Sequence, residues 1–208
     1  GFAHAIWKAT DQLSFAGGVR YTVERKTYTF YRLNLDGQTP FLILSDPANP
    51  LNGRSGVYDG GHWDYRAAVS YQWTPDVMTY AQFSTGFKGG GISPRPYWPQ
   101  QIHPFGPETL NAYEVGLKSQ WFDRRVRLNL AAFYNQYNNI QLTLLSCPQF
   151  GGPGPCALPI NGGHPDVRGF EAETEIHPYR GLQLAGSVSY LKFVYLASTL
   201  NPNTGIEP

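Results

Sequence analysis

Three glutamates, Glu171, Glu173 and Glu175, occupy every second position of one short stretch, and on an extended chain they would share a face. Such a row could hold a cation, pair with basic side chains such as Arg127, Arg66 or Lys118, or supply the carboxylates of a glycoside hydrolase. Hydrolysis would require one of two flanking carboxyl groups to have its pKa raised by burial. Gly89-Gly90-Gly91 follows Lys88 but lacks the G-x-x-x-x-G-K-[ST] spacing and a following helix, so it does not read as a nucleotide loop. Glycine's tolerance of positive φ at a strand exit is the expected use of that run. Cys147 and Cys156 are the only cysteines, and no nearby histidine offers the spacing of a zinc site. A local disulfide is expected, in an oxidising, extracytoplasmic setting. His4, His62, His103, His164 and His177 are scattered, and no Ser/His/Asp or Cys/His constellation accompanies them. The sequence therefore predicts no enzyme, no catalytic residue, no metal centre and no cofactor. Arg95, Tyr97 and Trp98, with Gln100, Gln101 and His103 nearby, form a denser cluster of guanidinium and ring groups. Arg54 and Tyr58 form a smaller one.

What these groups can do depends on the elements that carry them. The chain has 208 residues, 41% hydrophobic, 15% charged and 15% aromatic, with 23 glycines and 17 prolines. So many aromatic residues at a net charge of +1 exclude a disordered chain. Sixteen basic residues against fifteen acidic ones provide no basic field, so no nucleic-acid partner is expected. No run approaches the roughly 18 apolar residues of a membrane-spanning helix. Mean hydropathy is −0.35. A transmembrane β-barrel also averages to a soluble-looking value, because lipid-facing and lumen-facing side chains alternate.

Period two is the dominant pattern. Trp63, Tyr65, Ala67, Val69, Tyr71 and Trp73 alternate with Asp64, Arg66, Ala68, Ser70 and Gln72. The same sorting recurs from Leu13, from Tyr113, from Val126 and from Phe170, and a strand separates such residues by face where a helix would scatter them. In residues 77–88 the outer face is expected to be Val77, Thr79, Ala81 and Phe83, with Tyr80 inward. The facing of residues 2–9 is open, and an eighth strand is expected over about 182–196. The fold class is all-β, antiparallel.

Tight turns at residues 10–12, 74–76, 122–124 and 178–181 alternate with long connections at about 32–61, 89–107 and 142–165. Soluble domains seldom carry structureless loops beyond ~12–15 residues. Alternation of short turns with long loops is the habit of outer-membrane barrels, whose strands need ~9–11 residues to cross the bilayer. Both ends of the eight-strand series would fall on the long-loop side, and both edges would face lipid unpaired. The expectation is a partial transmembrane β-barrel, an internal piece of a larger one. Trp63, Trp73, Tyr21, Trp121 and Tyr134 read as interfacial girdle aromatics. The rival is a secreted β-sandwich carbohydrate-binding module, whose apolar faces would pack against a second sheet rather than against lipid.

Several signatures fall at the strand ends: Tyr80-x-x-x-Ser84-x-Gly86-Phe87-Lys88-x-Gly90; Pro107-Glu108-Thr109 with Tyr113-Glu114-x-Gly116-x-Lys118; Asn129-x-x-x-Phe133-Tyr134-x-x-Tyr137-x-x-Ile140-Gln141; and Gly169-x-Glu171-x-Glu173. Together with Gly18-Val19-Arg20-Tyr21, they make nearly the whole chain resemble the C-terminal barrel portion of TonB-dependent outer-membrane receptors of the ferric-siderophore type. The resemblance implies a barrel of about 22 strands closed by a plug. It implies a place in the bacterial outer membrane, in contact with its lipid, and uptake of a ferric siderophore or similar scarce chelate. It also implies energy passed from TonB–ExbB–ExbD through the plug. The plug, the TonB-contacting box and the final strands are not matched, so residues 1–208 are expected to be one fragment of the barrel domain.

On that reading the glutamates line a water-filled lumen, where pairing with wall arginines is the expected role. Arg95, Tyr97, Trp98, Arg54 and Tyr58 become candidate ligand contacts, because anionic or catecholate chelates favour arginine for charge and rings for stacking.

Overall fold

The computed structural model describes residues 1–38, 51–147 and 156–196. The strands are β1 (Phe2–Lys8), β2 (Leu13–Thr29), β3 (Ser55–Thr74), β4 (Val77–Lys88), β5 (Gly91–Ile92), β6 (Pro104–Phe105), β7 (Glu108–Trp121), β8 (Val126–Asn138), β9 (Gln141–Leu144), β10 (Leu158–Asn161), β11 (His164–Tyr179) and β12 (Leu182–Leu196). Eight of them form one antiparallel sheet in the order β1-β2-β3-β4-β7-β8-β11-β12. The other four make two small ladders, β5 with β6 and β9 with β10, inside the long connections. Among the described residues no helix is long and apolar enough to cross a membrane, which says nothing about crossing by strands.

Residues directly opposite in an antiparallel ladder share a face. The registers therefore trace one apolar row across all eight strands: Trp7, Phe15, Val69, Ala81, Val115, Ala132, Phe170 and Tyr190. The neighbouring row on the other face reads Lys8, Ser14, Ser70, Tyr80, Gly116, Ala131, Glu171 and Ser189. Tyr80 thus lies on the polar face, as expected. The open question over residues 2–9 is settled by Trp7, which stacks on Phe15 at 5.6 Å and belongs to the apolar side.

Among the described residues no second layer covers the apolar row. Val115 is 55% exposed and Leu130 39%. The buried hydrophobic residues of the described chain are Leu51, Ile92, Cys147, Cys156, Leu158 and Ile160, and every one lies off the main sheet, in the long connections. A sandwich buries its apolar faces against another sheet, so this arrangement overturns the carbohydrate-module alternative. The greasy face is the one a barrel turns towards lipid, and the expected girdle aromatics sit on it. Tyr21 and Trp63 pack at 4.6 Å, as do Tyr71 and Trp73. The indole N–H groups of Trp73 and Trp121 donate to Thr79 Oγ1 and Ser119 Oγ.

The tight turns fall between β1 and β2, β3 and β4, β7 and β8, and β11 and β12, in agreement with the sequence. The long connections are less bare than expected. Residues 55–61, assigned to the first loop, are the start of β3, paired with β2 from Ser55↔Thr29 onward. Glycine here marks close packing rather than coil: a Cβ at Gly56 would lie 2.8 Å from Ile92, and one at Gly60 would strike the Tyr58 ring. Likewise the second loop contains β5, β6 and a short 3-10 turn at Pro99–Gln101, and the third contains the β9–β10 hairpin. Residues 164 and 165 belong to β11.

Candidate functional site

The polar face of the wall is an interlocked lattice, and the signature residues are its joints. Tyr80 donates its hydroxyl hydrogen to Glu114 Oε1 at 2.6 Å. Its ring lies over Gly116, where a Cβ would collide with it, and Lys118 Nζ stands 5.8 Å from the ring centroid. The glutamate, glycine and lysine of Tyr113-Glu114-x-Gly116-x-Lys118 thus accept, admit and cap one tyrosine. Gly169 makes room for backbone first and a ring second: a Cβ there would collide with the Tyr190 carbonyl oxygen and lie 2.9 Å from Phe133 Cζ. Arg20 reaches across to Asp64 Oδ2 at 2.6 Å through Nη2 and 3.0 Å through Nε.

Of the three glutamates, Glu175 takes Arg127 at 2.9 Å, with His177 at 2.7 Å and Gln183 at 2.9 Å. The expected structural pairing is present for Arg127. Arg66 bonds Gln82 instead, at 3.1 Å, and Lys118 goes to Tyr80. Glu173 and Asn129 are directly opposite, and so are Glu171 and Ala131. No group of three or more His, Cys, Asp or Glu side chains among the described residues could hold a metal ion.

At the long-loop end the connection 89–107 folds onto the polar face. Ile92 and Ile102 rest over Gly56, and Lys26 Nζ donates to the Gly90 carbonyl at 2.7 Å. Lys26 also pairs with Glu24 at 3.1 Å and stands 5.6 Å from the Tyr58 ring centroid. The glycine run is explained by this approach. A Cβ on Gly89 would overlap the Glu24 carboxylate, and one on Gly90 would overlap Phe105 and Tyr58. None of Gly89, Gly90 and Gly91 has positive φ, so the expected conformational reason is replaced by a steric one.

The predicted ligand residues divide in space. Tyr97 lies under the Arg32 guanidinium at 4.3 Å, and its N–H donates to Gln101 Oε1 at 2.7 Å. Tyr58 lies on the wall beneath Gly90. Trp98 is half-buried beside Tyr97, and its buried indole N–H finds no hydrogen-bond partner among the described residues. Arg95 is exposed at the loop tip, and Arg54 is exposed beside β3. Sequence reasoning missed Arg32, which packs on Tyr97, and Lys26 and Glu24, which hold the glycine run over Tyr58. Lys26 and Glu24 could have been found by extending the alternation of β2 past Tyr21, whereas Arg32 follows the strand and has no such signal.

The third connection carries its own small core. Cys147 and Cys156 are disulfide-bonded with Cα atoms 6.0 Å apart, as the sequence suggests. They pack with Leu158 and Ile160, and Leu142 and Leu144 lean against them.

An eight-stranded sheet with one apolar face, one polar face and the 89–107 connection folded over the polar face defines part of the wall of a membrane β-barrel. Residues 1–207 match the family described as TonB dependent receptor-like, beta-barrel. The chain belongs to that family. Its sequence is 26% identical to the pesticin receptor of Yersinia pestis over 174 residues, 84% of this chain and 23% of that receptor. The structure resembles that of the ferric yersiniabactin uptake receptor FyuA from Yersinia pestis, with a TM-score of 0.74 and 21% identity over 96% of this chain and 27% of that one. It also resembles the closed form of the ferric-catecholate import receptor Fiu from E. coli K12, with a TM-score of 0.69 and 16% identity over all of this chain and 29% of that one. The chain therefore spans about a quarter of the length of these relatives.

Proposed function

We propose that these 208 residues form part of the barrel wall of a bacterial outer-membrane receptor that imports a ferric siderophore or a similar scarce metal chelate, driven through TonB. The wall does no chemistry. It spans the membrane, encloses a plug supplied by residues beyond this stretch, and presents loops that make the first contact with ligand. The final strands of the barrel likewise lie outside these residues.

One observation carries the reading. The loop 89–107 folds onto the polar face and sets Tyr97 against the Arg32 guanidinium, while Lys26 and Tyr58, opposite one another on β2 and β3, support Gly90 beneath it. Catecholate and other anionic chelates present flat rings and negative oxygens, which an arginine–tyrosine pair can stack on and neutralise. Relatives named as receptors for pesticin, ferric yersiniabactin and ferric catecholates support the same reading. Arg95 at the exposed tip serves first encounter, where a charge acts mainly on the rate of association. Trp98, Arg54 and Tyr58 complete the set of proposed contacts.

The test is uptake of 55Fe-labelled ferric chelates, catecholate and phenolate, by iron-starved cells with and without the intact gene. Uptake should vanish in the deletion strain and in a strain lacking TonB. Tyr97→Ala should weaken chelate binding by about tenfold, the equivalent of ~1.4 kcal/mol for a desolvated cation–ring site. Equal iron accumulation with and without the gene would defeat the proposal.

A further inference from the structure

Gln141 and Asn161 are the rung of the β9–β10 hairpin nearest the wall, directly opposite one another. Both side chains leave their own hairpin and grip the neighbouring loop. Gln141 Nε2 donates to the Gly89 carbonyl at 2.9 Å and the Gly106 carbonyl at 3.1 Å. Those carbonyls stand at the two stems of the loop 89–107, so one carboxamide ties its neck. Asn161 Oδ1 accepts from the Gly106 N–H at 2.6 Å while Nδ2 donates to the Gly106 carbonyl at 3.0 Å. The carboxamide thus reads Gly106 through both backbone groups, as a neighbouring strand would. Asn161 Nδ2 also reaches the Asn139 carbonyl at 3.0 Å, and the Gln141 N–H donates to Glu108 Oε2 at 2.9 Å.

We infer that Gln141 and Asn161 are positioning residues that lock the neck of loop 89–107, joining it to the disulfide-stapled hairpin as one body. The inference rests on the capture reading above, because the locked loop is the one that holds Tyr97 against Arg32. A carboxamide is well suited to such a lock, since it offers a donor and an acceptor with no charge and so satisfies backbone groups at a loop stem that no strand reaches. With the neck tied, motion is confined to the tip around Arg95. Ordering the loop before ligand arrives spares the conformational cost of ordering it on binding. The hairpin with Cys147–Cys156 acts as the splint, since its small core fixes the rung from which both carboxamides project.

Hydrogen–deuterium exchange on the full-length receptor in outer-membrane vesicles tests the lock without any ligand. Gln141→Ala and Asn161→Ala should each raise exchange across 89–107 at least tenfold. Exchange across 108–121 should stay at the wild-type rate, as should every segment of Thr143→Ala, a substitution on the same hairpin away from the neck. Unchanged exchange in 89–107 for both variants overturns the lock, and so does faster exchange spread equally over 108–121. In a second arm, de-energised cells bind a 55Fe-labelled ferric tris-catecholate, and both variants should bind about tenfold more weakly than wild type. Faster loop exchange with unaltered binding overturns the positioning role. Should the wild-type receptor bind no chelate, the capture reading fails by itself while the exchange arm still decides the lock.

Discussion

Gly116 shows how much a single missing side chain can do in this wall. The Tyr80 ring occupies the space a Cβ would need, and the tyrosine hydroxyl then reaches Glu114. Gly116→Val should therefore push the ring aside, break that hydrogen bond and uncap Lys118. Overpacking of this kind costs about 1–3 kcal/mol, and the exposed carboxylate adds little in a hydrated lumen. The expected readout is a lower temperature for the heat-induced mobility shift of the receptor on electrophoresis, with outer-membrane localisation retained. A transition unmoved by the substitution would show that Tyr80 has room to spare. The glutamate row follows the same local logic. Glu175 is tied down by Arg127, His177 and Gln183, the network expected of lumen charges rather than of a hydrolytic pair.

The elements outside the main sheet hold more order than their composition suggests. The third connection reads as a bare Gly/Pro-rich loop, yet β9, β10 and the disulfide give it a core in which Leu158 is 1% exposed. A hairpin of four-residue strands is marginal in water without such support. Replacing both cysteines by serine should destabilise the hairpin by ~2–3 kcal/mol on chain-entropy grounds. Limited proteolysis of intact cells checks this: cleavage within 141–161 should appear in the double variant, while the barrel keeps its heat-modifiable mobility. Resistance equal to wild type would mean that the apolar packing alone holds the hairpin. The first connection departs from its composition for a different reason. Gly56, Gly60 and Gly61 read as loop residues because glycine weakens a strand. In the fold Gly56 and Gly60 make room for Ile92, Ile102 and Tyr58 to lie flat on the wall, and for Gly56 those neighbours arrive only after the second connection folds back.

Over the whole molecule, the lack of a packed layer beneath the sheet among the described residues decides the environment. The apolar row from Trp7 to Tyr190 has nothing but solvent or lipid to face, and a row of that kind is stable only in hydrocarbon. Leu130→Arg places a charge on that face near mid-membrane, at a cost of ~2–4 kcal/mol, and should reduce assembled receptor in the outer membrane. Asn129→Arg, on the lumen side opposite Glu173 and Lys118, should assemble normally. Immunoblots of outer-membrane fractions compare the two, and equal losses would reverse the assignment of faces.

The amino-acid sequence determined the strand type, the four tight turns, the two faces and the disulfide pair. Each rests on interactions between residues close in the chain or repeated at a fixed period: alternation, turn composition and a loop with only two cysteines. It also located the proposed ligand cluster on one loop through Arg95, Tyr97 and Trp98. The tertiary structure alone decided that this loop turns inward, that Arg32 and Lys26 meet Tyr97 and Tyr58, and that Gln141 and Asn161 close its neck. Those contacts join residues from 32 to 65 positions apart. No local period encodes them, because each depends on how separate strands and connections are set against one another.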